Sequence, residues 1–402
     1  MFNNLYHIGQ FQAGVKHIKN AKYIVTNIDE NDVINGGEKK LAEAVIETEK
    51  RYSPNVIFVL TSCASGIIGD DVDAVVGNVQ KEVKATVVPI HCEGFKSKLP
   101  ATGFEAAFNA IKHYILKDIR PPREEGLINL FAPTSVGIAD QKEIKRLLEH
   151  LGLHVNYVPF YSNVEKIKTI PAAIASASIC EVFADEFMQW LNTEYDIPYA
   201  ITCMPLGVKN TDQWLRGIAK LVGKVEQVEE YIEREHQRIL PQIEEVRGIL
   251  QGKRAVVSAG TARGFAATAL IEDYGLELIG LRVRNLEEAV EERVGKLVDI
   301  HGEDFFFDIS FGQTHEQVNY VRKLNPDIFI GNNAQIAKLG IPTEHVLDPI
   351  RPTMGYDGIL YIGRKLANAI QNPGFIKKTA QHAELPYQEG WYSENPFKYH
   401  TN

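Results

Sequence analysis

Several features are scarce or missing in this 402-residue sequence, and each absence excludes a class of protein. Only four cysteines occur (Cys63, Cys92, Cys180 and Cys203), and their wide spacing provides neither a disulfide framework nor a C-x-x-C zinc pair. No apolar run reaches the ~18 residues that a membrane-spanning helix needs. The N-terminus lacks the basic flank and apolar core of a secretory signal. We therefore expect a cytoplasmic protein in a reducing compartment, with no membrane contact.

The charge distribution also argues against nucleic-acid binding. The chain carries 43 Lys and Arg against 52 Asp and Glu, a formal net charge of −9, and the two signs are mixed along its length. Without a long basic run, no sequence signal indicates contact with a phosphate backbone.

What the sequence does contain is an alternation of strand-like and helix-like segments. Amphipathic patterns such as residues 141–152 lie between apolar, β-branched runs, and this order is typical of parallel sheets with crossover helices. The strand-like runs are 23–26, 55–60, 85–90, 127–132, 154–160, 197–202, 254–259, 276–281, 304–309 and 327–331.

Two seams divide this pattern into three αβ units. Residues 117–126 are polar and contain two prolines, and residues 224–253 form a long charged helical pattern. The predicted fold class is α/β, with three Rossmann-like domains on parallel sheets, although G-T-A-R-G at 260–264 is not the dinucleotide fingerprint G-x-G-x-x-G. The predicted segments are domain I at 1–120, domain II at 126–223, a linking helix at 224–252, domain III at 253–350, and a C-terminal helix and tail at 351–402 that pack back on the core.

Candidate functional residues follow predicted strands, at the edge where ligands gather in such sheets. Cys63 and Cys92 each follow a strand-like run, and a thiolate beside a helix N-terminus is stabilised by backbone N–H groups and the helix dipole. Arg263 is either an anion-binding or a surface charge. His345 is by default a loop residue, and a lone cysteine is by default a small buried hydrophobe. These alternatives stay open on spacing alone.

Three further positions have structural interpretations. Cys180 lies in 170–187, a segment rich in alanine and serine that predicts one long helix with room beside it for a backbone or a bulky ligand. Asp70 and Asp71 are expected to cap the following helix. Cys203 is expected on a strand in the core.

Several motifs, in the same order over nearly the whole chain, resemble the nitrogenase component 1 family. The resemblance is greatest to the α-type subunit of the molybdenum–iron protein and to its scaffold relative, and the fold that it implies agrees with the pattern above. The motifs are G-G-E-K-K-L (36–41), T-S-C-A-S-G-I-I-G-D-D-V-D-A-V (61–75), V-P-I-H-C-E-G-F (88–95), Y-D-I-P-Y (195–199), D-Q-W-L-R-G-I-A (212–219) and M-G-Y-D-G-I (354–359).

The resemblance implies cofactor roles for individual residues. Cys63 matches one of three cysteines that hold an iron–sulfur cluster at the interface with a β-type subunit. Cys180 matches the cysteine at the iron end of the larger metallocofactor, of FeMo-cofactor type, and His345 matches the histidine at its molybdenum end. Arg263 and Gly260, in G-T-A-R-G, match positions against that cofactor. Thiolate and imidazole suit iron and its neighbours in such clusters.

The sequence also departs from the family pattern. The family's other two interface-cluster cysteines precede the region matching residues 3–9, so that ligand set is incomplete here. Either the gene start is misplaced, or the chain is shortened, or a partner supplies more ligands. Pro100 and Phe104 stand where nitrogenases carry a glutamine and a histidine, and the loss of a proton donor argues against dinitrogen as the substrate. His345 argues against a pure scaffold, because the scaffold relative generally lacks that histidine.

The function implied by the resemblance is that of the α-type subunit of a nitrogenase-like oxidoreductase. A homodimeric, ATP-dependent iron protein would deliver electrons, a β-type subunit would complete an α₂β₂ assembly, and the cofactor would reduce a small substrate. Other superfamily members reduce carbon–sulfur bonds or a tetrapyrrole ring. Lys96 and Arg263 are the candidate catalytic residues, and Lys96, like Lys98, either faces an anionic group or is solvated. The alternatives are a cofactor-assembly scaffold and a truncated, metal-free homologue.

Overall fold

The computed structural model describes residues 22–96, 100–132, 136–159, 162–180, 183–285, 288–302, 305–310, 313–348, 350–385 and 387–395. These residues form two compact units. The first contains the described residues of 1–132, 155–178 and 183–199, and the second contains those of 133–154, 179–182 and 200–402. Within this part of the chain, no helix combines the length and apolarity that crossing a bilayer requires.

The first sheet of the described chain has two parallel strands and packs on a valine-rich core. Strands β1 and β2 pair with Val56 opposite Thr86. The valines of helix α4 recur at positions i, i+3, i+4 and i+7, so they share the face that packs on this core. The elements are α1 (Glu30–Asn35), α2 (Glu38–Tyr52), β1 (Val56–Leu60), α3 (Cys63–Ile68), α4 (Val72–Val79), β2 (Thr86–Ile90) and α5 (Pro100–Ala110), followed by a π-helical segment (Ile111–Leu116).

The second sheet has four strands in the order β4-β3-β5-β6, and β3 pairs with β5 in parallel. Both β3 and β5 are buried along their whole length, as expected for inner strands of a sheet covered by helices. The elements are β3 (Leu127–Ala132), α6 (Ile138–Glu149), β4 (His154–Pro159), α7 (Val164–Lys168), a 3₁₀ turn (Ile170–Ala172), β5 (Ala175–Ser178), α8 (Asp185–Tyr195) and β6 (Tyr199–Ala200).

The third sheet has five strands in the order β11-β10-β7-β8-β9, and all of its pairings are parallel. The chain runs outward from β7 to β9 and then returns to β10 on the other side of β7. The loops after β7 and β10 therefore flank a topological switch point. The elements are α9 (Val208–Leu221), α10 (Val225–Leu250), β7 (Arg254–Ser258), α11 (Thr261–Asp273), β8 (Glu277–Val283), α12 (Glu288–His301), β9 (Phe306–Ile309), α13 (Thr314–Leu324), β10 (Ile328–Gly331), α14 (Ala334–Ala337), β11 (Thr343–Glu344), α15 (Gly355–Gln371), α16 (Gly374–His382) and α17 (Glu389–Ser393).

The predicted fold class is confirmed: the chain is α/β, and one parallel sheet lies in each of the three predicted domain segments. The exact domain bounds stay a prediction. The predicted strand at 23–26 is wrong, because residues 22–29 form no regular element and Tyr23 and Val25 are exposed rather than paired in a sheet. The run 197–202 contains a strand of only two residues.

The predicted helix over 170–187 is also wrong. The segment contains the 3₁₀ turn, then strand β5, then the first residues of α8. Alanine and serine have low strand propensity, but four small side chains fit between two covering layers, and Asn129 Nδ2 donates to Ser176 Oγ from the neighbouring strand at 3.3 Å. Burial in the sheet therefore decides the conformation, and Cys180 lies two residues beyond the carboxyl end of an inner strand.

Candidate functional site

Cys63 lies in the predicted position, at the start of a helix that follows a strand. It is the first residue of α3 and is exposed. Ser62 caps the helix: Ser65 N donates to Ser62 Oγ at 3.3 Å, and Ser62 N donates to Ser65 Oγ at 2.9 Å. The expected capping aspartate is confirmed in Asp71, whose carboxylate accepts from Ala74 N, whereas Asp70 accepts from Gly37 N.

Cys92 is less suited to ligation than Cys63. Its backbone N donates to Thr61 Oγ1 at 2.9 Å, and its Sγ donates to Thr61 O at 3.4 Å. Burial raises the pKa of the Cys92 thiol, so the thiol stays protonated at neutral pH. Cys92 therefore has a structural role, as a hydrogen-bond partner of Thr61.

Lys96 has a partner of its own near the Cys92 loop. Its Nζ lies 2.8 Å from Glu93 Oε2, and its side chain is half exposed. Burial raises the pKa of Glu93, but the hydrogen bond and charge of Lys96 outweigh this and lower it overall. Lys96 is therefore ion-paired, an arrangement that neither sequence alternative foresaw. Lys98 lies outside the described residues.

Phe104 belongs to an aromatic cluster in the first unit. Its ring meets that of Phe183 edge-on at 4.6 Å between centroids, and Phe108 stacks on Phe187 at 4.8 Å. The position where nitrogenases carry a histidine thus supplies packing in this chain and no titratable proton. Pro100 is the first residue of α5.

The second unit contains the three residues that the resemblance links to the larger cofactor. Cys180, Arg263 and His345 are distant in sequence, yet all three lie in this unit. Cys180 is 8% exposed and Arg263 is 6% exposed. Cys203 is buried in the same unit, as expected, but lies on no strand.

Arg263 lies in the first turn of α11, directly after β7, and is buried rather than a surface charge. Its Nη1 donates to Val346 O at 2.7 Å and to Thr353 Oγ1 at 3.3 Å. Burial lowers the pKa of this guanidinium, and the charges of Asp140 and Cys180 oppose that shift. The cation therefore interacts electrostatically with Cys180.

His345 follows β11 and presents a neutral, partly buried imidazole. Burial lowers its pKa to about 4, the positive charges of Arg263 and Lys365 act in the same direction, and a backbone hydrogen bond with Leu347 opposes them. Its Nδ1 is buried and has no hydrogen-bond partner among the described residues. A buried imidazole nitrogen without a hydrogen-bond partner is unusual in a folded protein. A neutral imidazole is also the form of histidine that binds metals.

Asp140 is the residue of this region that the sequence did not reveal. It lies in the first turn of α6 and is fully buried. Burial raises its pKa, and Arg263 together with backbone N–H groups of Thr353 and Met354 opposes that shift. The only available signal was Thr353's place directly before the M-G-Y-D-G-I motif, which does not indicate a partner 213 residues away.

The donors of the second unit fit a metal–sulfur cofactor better than a bare ion. Across the described ranges, no three His, Cys, Asp or Glu side chains form a metal-binding group. A single ion held by side chains needs three or four ligands. One thiol, one imidazole whose Nδ1 has no partner among the described residues and one buried cation instead suit an anionic metal–sulfur cofactor. The loop at Gly260 is open, because no described atom lies within 4 Å of where its Cβ would be.

Comparison with known proteins identifies one family and relatives that match most of this chain. The family model described as nitrogenase component 1 type oxidoreductase matches residues 6–371. The nitrogenase iron-molybdenum cofactor biosynthesis protein NifE of Methanococcus maripaludis is 28% identical over 374 residues, which cover 91% of this chain and 76% of that protein. The nitrogenase molybdenum-iron protein alpha chain of Methanothermobacter thermautotrophicus is 27% identical, with 88% of this chain and 76% of its own covered.

A solved structure supports the same fold. The structure of nitrogenase Cp1 at pH 6.5 matches with a TM-score of 0.75 over 94% of this chain and 83% of that chain, at 22% sequence identity. At this level of identity, the match concerns the fold alone.

Proposed function

This chain belongs to the nitrogenase component 1 type oxidoreductases, and from that premise we propose that it is an α-type subunit that binds a complex iron–sulfur metallocofactor. The observation that carries the proposal is His345, whose buried Nδ1 has no hydrogen-bond partner among the described residues and whose lowered pKa keeps the ring neutral. Burying a polar atom without a partner costs about 1–3 kcal/mol. A metal at that nitrogen would remove this cost.

The roles of the side chains follow from their environments. Cys180 and His345 would hold the cofactor, of FeMo-cofactor or precursor type, and Arg263 would balance its negative charge from a fixed, buried position. When bound, the cofactor supplies multi-electron redox chemistry. The protein contributes orientation and exclusion of water. Gly260 leaves space beside the first turn of α11. Lys96 remains a second candidate for contact with an anionic substrate, provided that it exchanges Glu93 for that substrate.

We propose a reductase rather than a passive binding protein. Electrons would come from an ATP-dependent iron protein, and a β-type subunit would complete an α₂β₂ assembly in the cytoplasm, with Cys63 contributing to an interface cluster. Phe104, packed among aromatic rings where nitrogenases place a proton donor, favours a substrate other than dinitrogen. Because His345 has the environment of a ligand, the cofactor is expected to stay bound during turnover.

The experiment that tests this proposal is metal analysis of a cysteine pair. The wild type, Cys180→Ala and Cys203→Ala are purified without oxygen after co-expression with a β-type subunit, and iron, sulfide and the EPR spectrum are measured. Both cysteines are buried in the same unit, so Cys203→Ala controls for loss of a core thiol. We expect several irons per chain in the wild type and in Cys203→Ala, and loss of that iron in Cys180→Ala. Absence of iron from the wild type would contradict the proposal.

A second candidate is a scaffold on which a precursor cofactor is assembled. It is favoured by the 28% identity to a protein named for iron-molybdenum cofactor biosynthesis, over 91% of this chain. The two functions differ in what happens to the bound metal. On mixing with a metal-free acceptor protein, a scaffold gives up its iron to the acceptor, whereas a reductase subunit retains its iron.

A further inference from the structure

Two segments that are far apart in the sequence meet at the carboxylate of Asp140. Its Oδ1 accepts hydrogen bonds from Thr353 N at 2.5 Å and from Met354 N at 3.0 Å, and Oδ2 accepts from Gly137 N at 3.4 Å. The Thr353 hydroxyl lies 3.1 Å from Oδ1 and 3.2 Å from Oδ2. Asp140 and Thr353 are both fully buried, so these bonds do not compete with water.

Thr353 connects this carboxylate to Arg263. Its hydroxyl can donate its single proton to Asp140 while accepting from Arg263 Nη1 at 3.3 Å. The same Nη1 donates to Val346 O at 2.7 Å. The continuous path therefore runs from Asp140 through Thr353 and Arg263 to the residue that follows His345.

Gly358, in helix α15, lies close against the backbone of Thr353. A Cβ at Gly358 would lie 2.4 Å from the carbonyl carbon of Thr353 and 2.8 Å from its oxygen. Only glycine permits this approach. The Thr353 backbone is thus in contact with both a helix backbone and a buried carboxylate.

We propose that Asp140 and Thr353 are positioning residues that set where Arg263 and the His345 segment stand before any cofactor binds. This inference rests on the proposed function, because only a bound cofactor would require a rigid His345 segment and a fixed Arg263 cation. Neither residue contacts the cofactor in this scheme. Each acts through Arg263, which holds the segment by its bond to Val346 O.

A matched pair at Thr353 tests the proposal. Thr353→Ser keeps the hydroxyl, whereas Thr353→Val keeps a similar side-chain shape but removes the hydroxyl. In metal-free protein, hydrogen–deuterium exchange of the amides at 346–348 is expected to become about tenfold faster in Thr353→Val, the effect of losing one buried hydrogen bond, and to stay at the wild-type rate in Thr353→Ser. The amides of β7 and β10 should keep their rates in both variants, because a merely destabilised unit would exchange faster everywhere.

The loaded protein gives a second readout. At equal iron content, the EPR g-values are expected to shift in Thr353→Val and in Asp140→Asn, which removes the charge opposite Arg263, and to match the wild type in Thr353→Ser. Wild-type exchange rates at amides 346–348 together with unshifted g-values in Thr353→Val would overturn the inference. Wild-type protein without iron would instead overturn the proposed function, and the exchange comparison alone would then decide whether Thr353 fixes the segment.

Discussion

At the scale of single residues, burying a carboxyl group in the second unit disfavours its ionised form, and Asp273 shows this effect. It lies at the end of α11, where its carboxylate accepts from Val208 N at 2.8 Å. Burial raises its pKa to about 6, above the usual carboxyl value of 3.8. A raised carboxyl pKa contributes stability below the unfolded-state pKa, and that contribution is lost as pH rises through the folded-state value. The unit should therefore lose stability between about pH 4 and pH 7 from this group.

Asp273→Asn is expected to remove this loss. The amide oxygen still accepts from Val208 N, but no charge forms, so the variant should be more stable than the wild type at pH 8 by about 1–3 kcal/mol. The measurement is Tm against pH from 4 to 8. Asp348→Asn is the matched control, and its stability at pH 8 should change in the opposite direction, towards lower stability. Burial raises the pKa of Asp348, but the Tyr361 hydroxyl and backbone N–H groups outweigh this and lower it. A lower Tm for Asp273→Asn at pH 8 would refute the argument.

At this scale, the sequence revealed residue types but not their surroundings. The resemblance named Cys180, Arg263 and His345, and all three occur in one unit. It could not show that Arg263 is buried, because a strand-end arginine and a surface arginine have the same sequence context. It also could not show that Lys96 pairs with Glu93, since that contact depends on the conformation of a loop.

Among the elements, helix α15 depends on one glycine for its docking. Tyr274 is fully buried and its hydroxyl donates to Ile359 O at 2.8 Å. A Cβ at Gly363 would lie 2.1 Å from both Cζ and Oη of that ring. Because the ring is enclosed, it cannot turn away, and the helix must shift instead.

Gly363→Ala is therefore expected to destabilise the protein by about 1–3 kcal/mol or more, despite alanine's better helix propensity. Gly248→Ala in α10 is the control, because no described atom lies within 4 Å of its Cβ position. That variant should gain about 0.5–1 kcal/mol. Chemical denaturation of the two variants beside the wild type measures the difference. Equal stabilities would show that α15 is not held by this contact.

The elements also show where sequence periodicity succeeds and fails. The valine strands and the amphipathic helices were predicted because burial and sequence pattern agree there. β5 was mistaken for helix because its A-S-A-S sequence has neither branched side chains nor alternation. Its strand conformation comes from neighbours on both sides, which local sequence does not specify. This error mattered for function, since it placed Cys180 within a helix instead of after a strand.

Across the whole molecule, the three parallel sheets were predictable, whereas the long-range polar contacts were not. Alternating segments determine sheet type almost without reference to distant residues. A contact such as that of Asp140 with Thr353 joins positions 213 apart and leaves no local signal. The ion-pair network centred on Arg146 is a second example. It connects Glu143 on the same helix with Glu235 on α10, and Arg238 extends it to Asp357 on α15.

Arg146 is expected to be the charge on which the second unit depends most. Its guanidinium bonds both oxygens of Glu143 at 2.8 Å and both oxygens of Glu235 at 3.0 Å, and the two glutamates are buried. Arg146→Ala would leave two carboxylates without their main counter-charge in a low-dielectric site, at a cost of about 3–5 kcal/mol.

The control is Arg216→Ala, which removes a similarly bidentate pair with Glu229 at 2.6 and 2.8 Å from the surface. Because both side chains of that pair are exposed, water replaces the lost bonds and the expected change is about 0–1 kcal/mol. Urea unfolding, followed by the fluorescence of the fully buried Trp214, compares the two variants in the unit that contains them. If Arg146→Ala unfolds at the same urea concentration as Arg216→Ala, the network is surface-like in energy, and packing of α6, α10 and α15 alone holds these helices together.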